Sequence, residues 1–166
     1  MNLNKLNIQD NCLSFNGDKY GIKKVKSYQV CPGVDCTEYK IKRDKTKDLA
    51  VVNIMPGCST PLQLVKEGDL TVESSIVGNG CLYVRKANGG TNIYEFTGNQ
   101  YVQTELGLKA QSTSFSALVE IGDVIQWRAN PNSTLVFMEI CTPPYKDGRF
   151  ENITETDERF FSFIEA

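Results

Sequence analysis

Histidine is absent from all 166 residues of the chain. That absence removes the usual general base of serine and cysteine nucleophile systems and the commonest side-chain ligand of transition metals. Cysteine occurs six times, at Cys12, Cys31, Cys36, Cys58, Cys81 and Cys141, with no CxxC pair among them. A zinc site needs closely spaced donor pairs, so these read as free structural thiols. A basic surplus is missing too. Lys and Arg total 18 against 20 for Asp and Glu, a net charge of -2, which argues against a nucleic-acid partner. The one basic stretch, Lys40 to Lys47, is broken by Asp44 and reads as a solvated loop or hairpin. No apolar run approaches the roughly 18 residues of a membrane span. Met1 to Asp10 is polar and lacks the apolar region of a signal peptide. The expectation is a cytoplasmic protein, in a reducing compartment, with no membrane partner.

What is present is a globular composition, 40% hydrophobic and 23% charged, in a chain of single-domain length. Short apolar or alternating runs recur between Gly, Pro, Asn and Asp clusters, the pattern of an all-β sandwich or barrel. Strands are expected near Leu49–Met55, Pro61–Lys66, Leu70–Val77, Cys81–Arg85, Asn92–Phe96, Tyr101–Thr104, Phe115–Glu120, Val124–Trp127 and Leu135–Cys141. Pro56-Gly57, Gly68-Asp69, Gly78-Asn79-Gly80 and Gly122-Asp123 supply the turns between several of them. Residues 1–48 read as an N-terminal β arm, with strands near Leu6–Ile8, Cys12–Phe15 and Val25–Tyr28. Residues 49–145 read as the barrel core and 146–166 as a tail. The tail carries a short helix over Asp157 to Ile164, with Phe160, Phe161 and Ile164 on one side.

Four pieces, in order, carry a resemblance to a known family. They are Met55-Pro56-Gly57-Cys58-Ser59-Thr60-Pro61, Val77-Gly78-Asn79-Gly80, Val119-Glu120-Ile121-Gly122-Asp123-Val124-Ile125 and Glu139-Ile140-Cys141-Thr142-Pro143-Pro144-Tyr145. Together they resemble the two motifs and the strand exit of the cupin superfamily, small antiparallel jelly-roll barrels. The stretch Gly89 to Ser114 is longer than such hairpins need and is expected to add a two-stranded flap at one mouth. The resemblance also implies a homodimer, with the N-terminal arm or the Phe160-Phe161 tail as the contact.

Metal-binding cupins converge a His-x-His pair and a Glu from the first motif on a His from the second. By the family spacing those positions fall here on Gln63 and Val65, near Thr71 with Glu73 two residues on, and on Ser133. An amide, an aliphatic, a hydroxyl and at best one carboxylate do not make a transition-metal site. No metal and no other cofactor is expected.

If Leu70–Val77 alternates as a strand, Thr71, Glu73, Ser75 and Val77 share one face. A barrel interior presenting Thr71, Glu73 and Ser75 beside Gln63 must satisfy those groups with one another, with water or with a ligand. The site candidates are therefore Gln63, Thr71, Glu73, Ser75 and Ser133. To them are added Arg85, as a partner for an anion, and Trp127, as core packing or a stacking wall. Glu73 in a half-dry barrel is a possible acid or base, with Tyr83 as a second catalytic candidate. Three readings stay open. One is a metal-free barrel that binds a small polar or sugar-like metabolite. Another is a metal-independent isomerase, epimerase or lyase on a sugar or hydroxy-acid. The third is a structural or interaction protein with no active pocket.

Overall fold

The computed structural model describes residues 7–9, 11–15, 18–98, 100–103, 108–111 and 115–153. The expected tail helix and its Phe160-Phe161 contact lie outside the described residues.

Alternating runs become strands because successive side chains point to opposite faces of a sheet. Fifteen result among the described residues: β1 (Asn7–Gln9), β2 (Cys12–Phe15), β3 (Asp18–Cys31), β4 (Val34–Ile41), β5 (Asp44–Ile54), β6 (Gln63–Val65), β7 (Leu70–Val77), β8 (Gly80–Arg85), β9 (Thr91–Thr97), β10 (Gln100–Gln103), β11 (Leu108–Gln111), β12 (Ser116–Val119), β13 (Val124–Ala129), β14 (Leu135–Thr142) and β15 (Phe150–Asn152). They form two antiparallel sheets, ordered β1-β2-β3-β4-β5-β14-β7-β12 and β11-β10-β9-β8-β13-β6-β15. This is a jelly roll.

The inner faces of the two sheets meet in one apolar core. Val34, Ile54, Leu135 and Phe137 come from the first sheet, and Leu82, Phe96 and Trp127 from the second. Trp127 stacks on Phe137 with ring centroids 4.1 Å apart and planes 11° apart. A second cluster, with Leu13, Ile22, Tyr39, Leu49 and Met138, packs on the outer face of the first sheet.

Three features differ from the sequence reading. The described residues before Ile41 form an antiparallel extension of the barrel sheet, with register shifts between Lys24 and Lys26 and between Gln29 and Cys31, and β4 contributes Val34 and Cys36 to the main core. The Gly89–Ser114 insertion extends the second sheet through β10 and β11, which pair in turn beyond β9. A register shift between Val136 and Met138 marks a bulge in β7: β14 advances two residues while its partner advances three, from Val77 to Ser74. The bulge breaks the alternation. Thr71 and Glu73 face inward as expected, but Ile76, not Val77, continues that inward row. The side chain of Ser75 lies outside the described residues.

The Gly122-Asp123 turn is tied as its chemistry suggests. Asp123 accepts hydrogen bonds from the Glu120 amide at 2.9 Å and the Ala87 amide at 3.0 Å, and Lys86 closes on the same carboxylate.

Candidate functional site

The inward phases of adjacent strands lie side by side, so the registers stack them into rungs. Val34, Ile54 and Leu135 form an apolar rung at one end of the barrel. Cys36, Val52 and Phe137 form the next. The rung beyond is Glu38, Ala50, Glu139 and Glu73, taken across β4, β5, β14 and β7. Asp48, Cys141 and Thr71 occupy the rung after that. The barrel is thus greasy at one end and acidic towards the other.

A cavity of about 250 Å3 opens where the rungs turn acidic. Glu38, Asp48 and Glu139 line one wall, facing Trp127, Gln63 and Phe150 on the other. Tyr28, Gln29, Tyr145, Thr60 and Asn152 add to the polar lining. Each side chain is positioned by its strand. The Asp48 carboxylate accepts the Tyr145 amide at 2.8 Å, which draws the exit of β14 over the cavity. Gln63 donates to Asn152 Oδ1 at 3.3 Å across β6 and β15. Thr60 Oγ1 accepts the Trp127 amide at 2.9 Å and fixes the indole's strand against the wall.

Glu73 is fully enclosed behind this wall. Neither of its carboxyl oxygens, nor the Trp127 Nε1, has a hydrogen-bond partner among the described residues. Glu139 and the indole are close enough to act on the Glu73 charge without meeting hydrogen-bond geometry. Burial holds the Glu73 carboxyl well above the ordinary carboxylate range, and the Glu139 carboxylate pushes it the same way, against the indole. Burial also raises Asp48, partly offset by the Tyr145 amide. It pushes the Tyr145 phenol up to about 12 and the Cys36 thiol up to about 11, so neither carries charge at neutral pH.

The sequence candidates separate. Gln63 and Trp127 line the cavity, with Glu73 behind them. Thr71 faces inward but is committed to Arg149, whose Nε and Nη2 donate to its Oγ1 at 3.2 and 2.9 Å. Tyr83 and Arg85 alternate with the core residues Leu82 and Val84, so they belong to the opposite, outer face of the second sheet. Tyr83 packs there with Cys81, Leu62 and Ile93. No catalytic pairing of Glu73 with Tyr83 forms across a sheet. Ser133 is a turn residue: its Oγ accepts the Asn79 amide at 3.0 Å and donates to the Thr134 carbonyl at 3.1 Å.

Glu38, Asp48, Glu139 and Arg149 were missed. The signal was clearest for Glu139. Glu139 interrupts the apolar phase Leu135, Phe137, Glu139, Cys141, while Asp48 and Glu38 each sit at the end of one. Arg149 had no such pattern.

No protein-family model matches the chain, and no curated protein matches it in sequence. Solved structures do match in shape. A cupin-2 domain protein from Rhodospirillum rubrum superposes with a TM-score of 0.55 at 15% identity, covering 86% of this chain and 82% of that one. The chain has the cupin fold. A mutant of Bacillus subtilis oxalate decarboxylase (OxdC) gives a TM-score of 0.54 at 9% identity, over 87% of this chain and 35% of that one. The capsular polysaccharide assembling protein CapF of Staphylococcus aureus gives 0.51 at 11% identity, over 80% of this chain and 34% of its own length. This cupin barrel therefore spans about a third of each of those two longer chains.

The metal that many cupin barrels hold has no matching donor set here. Gln63 is bonded to Asn152, Val65 is in the core, Thr71 holds Arg149 and Ser133 ties a turn. Among the described residues no group of three or more His, Cys, Asp or Glu converges as a metal ion requires.

Proposed function

We propose that this chain is a metal-free cupin barrel that binds a small polar metabolite in the cavity between Glu139 and Trp127. The observation that carries the reading is the cavity itself. A jelly-roll interior filled by side chains would be a structural element, whereas this one keeps about 250 Å3 open, walled by aromatic rings and acidic groups. That volume is below the roughly 300–1,000 Å3 usual for drug-sized ligands, so the ligand class is a small metabolite. Carboxylates, phenols and amides offer hydrogen bonds to a hydroxylated molecule, and Trp127 and Phe150 offer apolar contact.

Ala50 lies between Glu38 and Glu139 on the same rung and lines the cavity. Ala50→Leu should fill the space without disturbing the sheet. Native mass spectrometry of gently purified wild type is expected to show a retained organic mass that the variant lacks. Trp127 is the only tryptophan, so its fluorescence reports occupancy by added hexoses, polyols, hydroxy-acids and amines. A bare wild-type protein whose fluorescence no member of that panel changes would leave the reading without support and favour a structural barrel.

A further inference from the structure

We propose that the occupant of this cavity is a protonated amine that also carries hydroxyl groups, rather than a neutral sugar or an organic acid. The inference rests on the small-metabolite reading and names the charge of the ligand.

Charge balance is the first argument. Three carboxylates, Glu38, Asp48 and Glu139, line the cavity, and no Lys or Arg does. Lys26 stands at the rim, half exposed, 3.7 Å from Glu38 and 5.0 Å from the centre of the Tyr28 ring. It answers for one carboxylate at most. Arg149, the nearby buried cation, is already committed. Beyond Thr71, it donates to Leu70 O at 2.7 Å, Pro143 O at 3.0 Å and Thr142 O at 3.3 Å. Arg149 acts on Asp48 through space, which leaves Glu139 as the lining carboxylate with no ion-paired cation among the described residues.

Unpartnered buried atoms give a second, independent argument. Glu38 Oε1 and both oxygens of Glu73 have no hydrogen-bond partner among the described residues, and Glu73 is completely enclosed on the acidic rung. Glu73 keeps its proton and does not line the cavity, so the acceptor that meets the cavity is Glu38 Oε1, whose burial without a donor costs its desolvation. A ligand ammonium brings three donors and a charge of the required sign.

The wall supplies the third. Tyr28, Tyr145, Trp127 and Phe150 line the cavity beside the acidic groups, an arrangement that suits the apolar carbons of an organic cation. The amides of Gln63 and Asn152, already bonded to each other, leave capacity for hydroxyl groups. An anionic ligand would meet the three carboxylates head-on.

The test uses matched pairs on the whole protein, read by Trp127 fluorescence. Glucosamine is compared with glucose and glucuronate, and ethanolamine with ethylene glycol, so that charge is varied at two sizes. In the wild type at neutral pH, at least one amine is expected to saturate at a concentration at least tenfold below its neutral partner. Glu139→Gln, which keeps shape and removes charge, should erase most of that preference, and raising the salt should weaken it. Calcium or magnesium chloride at equal ionic strength should leave the signal unchanged. A neutral or acidic member binding as well as its amine overturns the proposal. So does an amine preference that survives Glu139→Gln, or saturation by the metal salts alone. A retained organic mass that is not an amine overturns the charge assignment while leaving the pocket reading standing. No saturable response together with a bare wild-type protein removes both.

Discussion

A carboxyl group enclosed on every side, as Glu73 is, makes its own pH dependence. Burial and the facing Glu139 let Glu73 keep its proton in the folded barrel to a higher pH than in the unfolded chain. Between the ordinary carboxylate range, about pH 4, and the raised folded value, the folded state binds the extra proton. The stability this lends is complete below that window and is lost as pH rises through it, at a slope of about 1.4 kcal/mol per pH unit. Glu73→Gln keeps the shape and removes the titration. Its urea midpoint should exceed that of the wild type by a margin that widens from pH 5 upward; parallel curves would show that Glu73 ionises as an exposed carboxylate does. Asp48 shifts in the same direction but is common to both proteins and cancels. Arg149 is the opposite case, a buried charge fully answered by Thr71 and three carbonyls. Lysine cannot reproduce that fork, so Arg149→Lys should lose about 2 kcal/mol or more in denaturant unfolding. Of these groups the sequence exposed Glu73, because its strand alternates cleanly from Leu70 to it. Arg149 sits among loop residues and finds its partners only through the fold.

At the scale of the element, what the sequence carries is period and punctuation. Most strands from Leu49 onward, though not β11, were legible because apolar alternation ran between Gly, Pro and Asn turns, and β7 and β14 fall within a residue of their expected limits. β4 escaped because Cys36 and Glu38 occupy its inward phase while Tyr39 and Ile41 add apolar side chains to the other, so neither phase reads as the buried one. β15, three residues long, has too little pattern to read. The β7 bulge was invisible for a different reason. Alternation counted along one strand cannot show that the partner strand advances at another rate, and the inward assignment of Val77 fails for that reason. The turn that follows is strict. Gly78 has φ of +104°, and a side chain there would overlap the Thr134 carbonyl oxygen. Gly78→Ala should therefore cost about 2 kcal/mol or more by thermal or chemical unfolding, since both backbone conformation and space oppose it. A neutral result would mean that the β7–β8 turn can shift away from Thr134 at little cost.

Across the whole molecule, stability and site are drawn from opposite ends of the same strands. The rungs of Val34, Ile54 and Leu135, then Cys36, Val52 and Phe137, bury apolar surface between the sheets, and the Trp127 stack adds to them. The next rung replaces that gain with carboxylates beside an open cavity. Local opening should follow this gradient, because regions with fewer buried apolar contacts open at lower free energy. Native-state hydrogen exchange tests it strand by strand. Amides of β5 and β14 near Ile54 and Leu135 should exchange only with global unfolding. Those near Asp48 and Cys141, on the same two strands, should exchange through smaller openings. A ligand held by Glu139 and Asp48 should raise protection selectively at the acidic end, because its contacts form there and not at the apolar end. Uniform protection along β5 and β14 would contradict the gradient and mean that the barrel opens as one unit. Protection gained first at the Val34 end would place the occupant elsewhere in the fold.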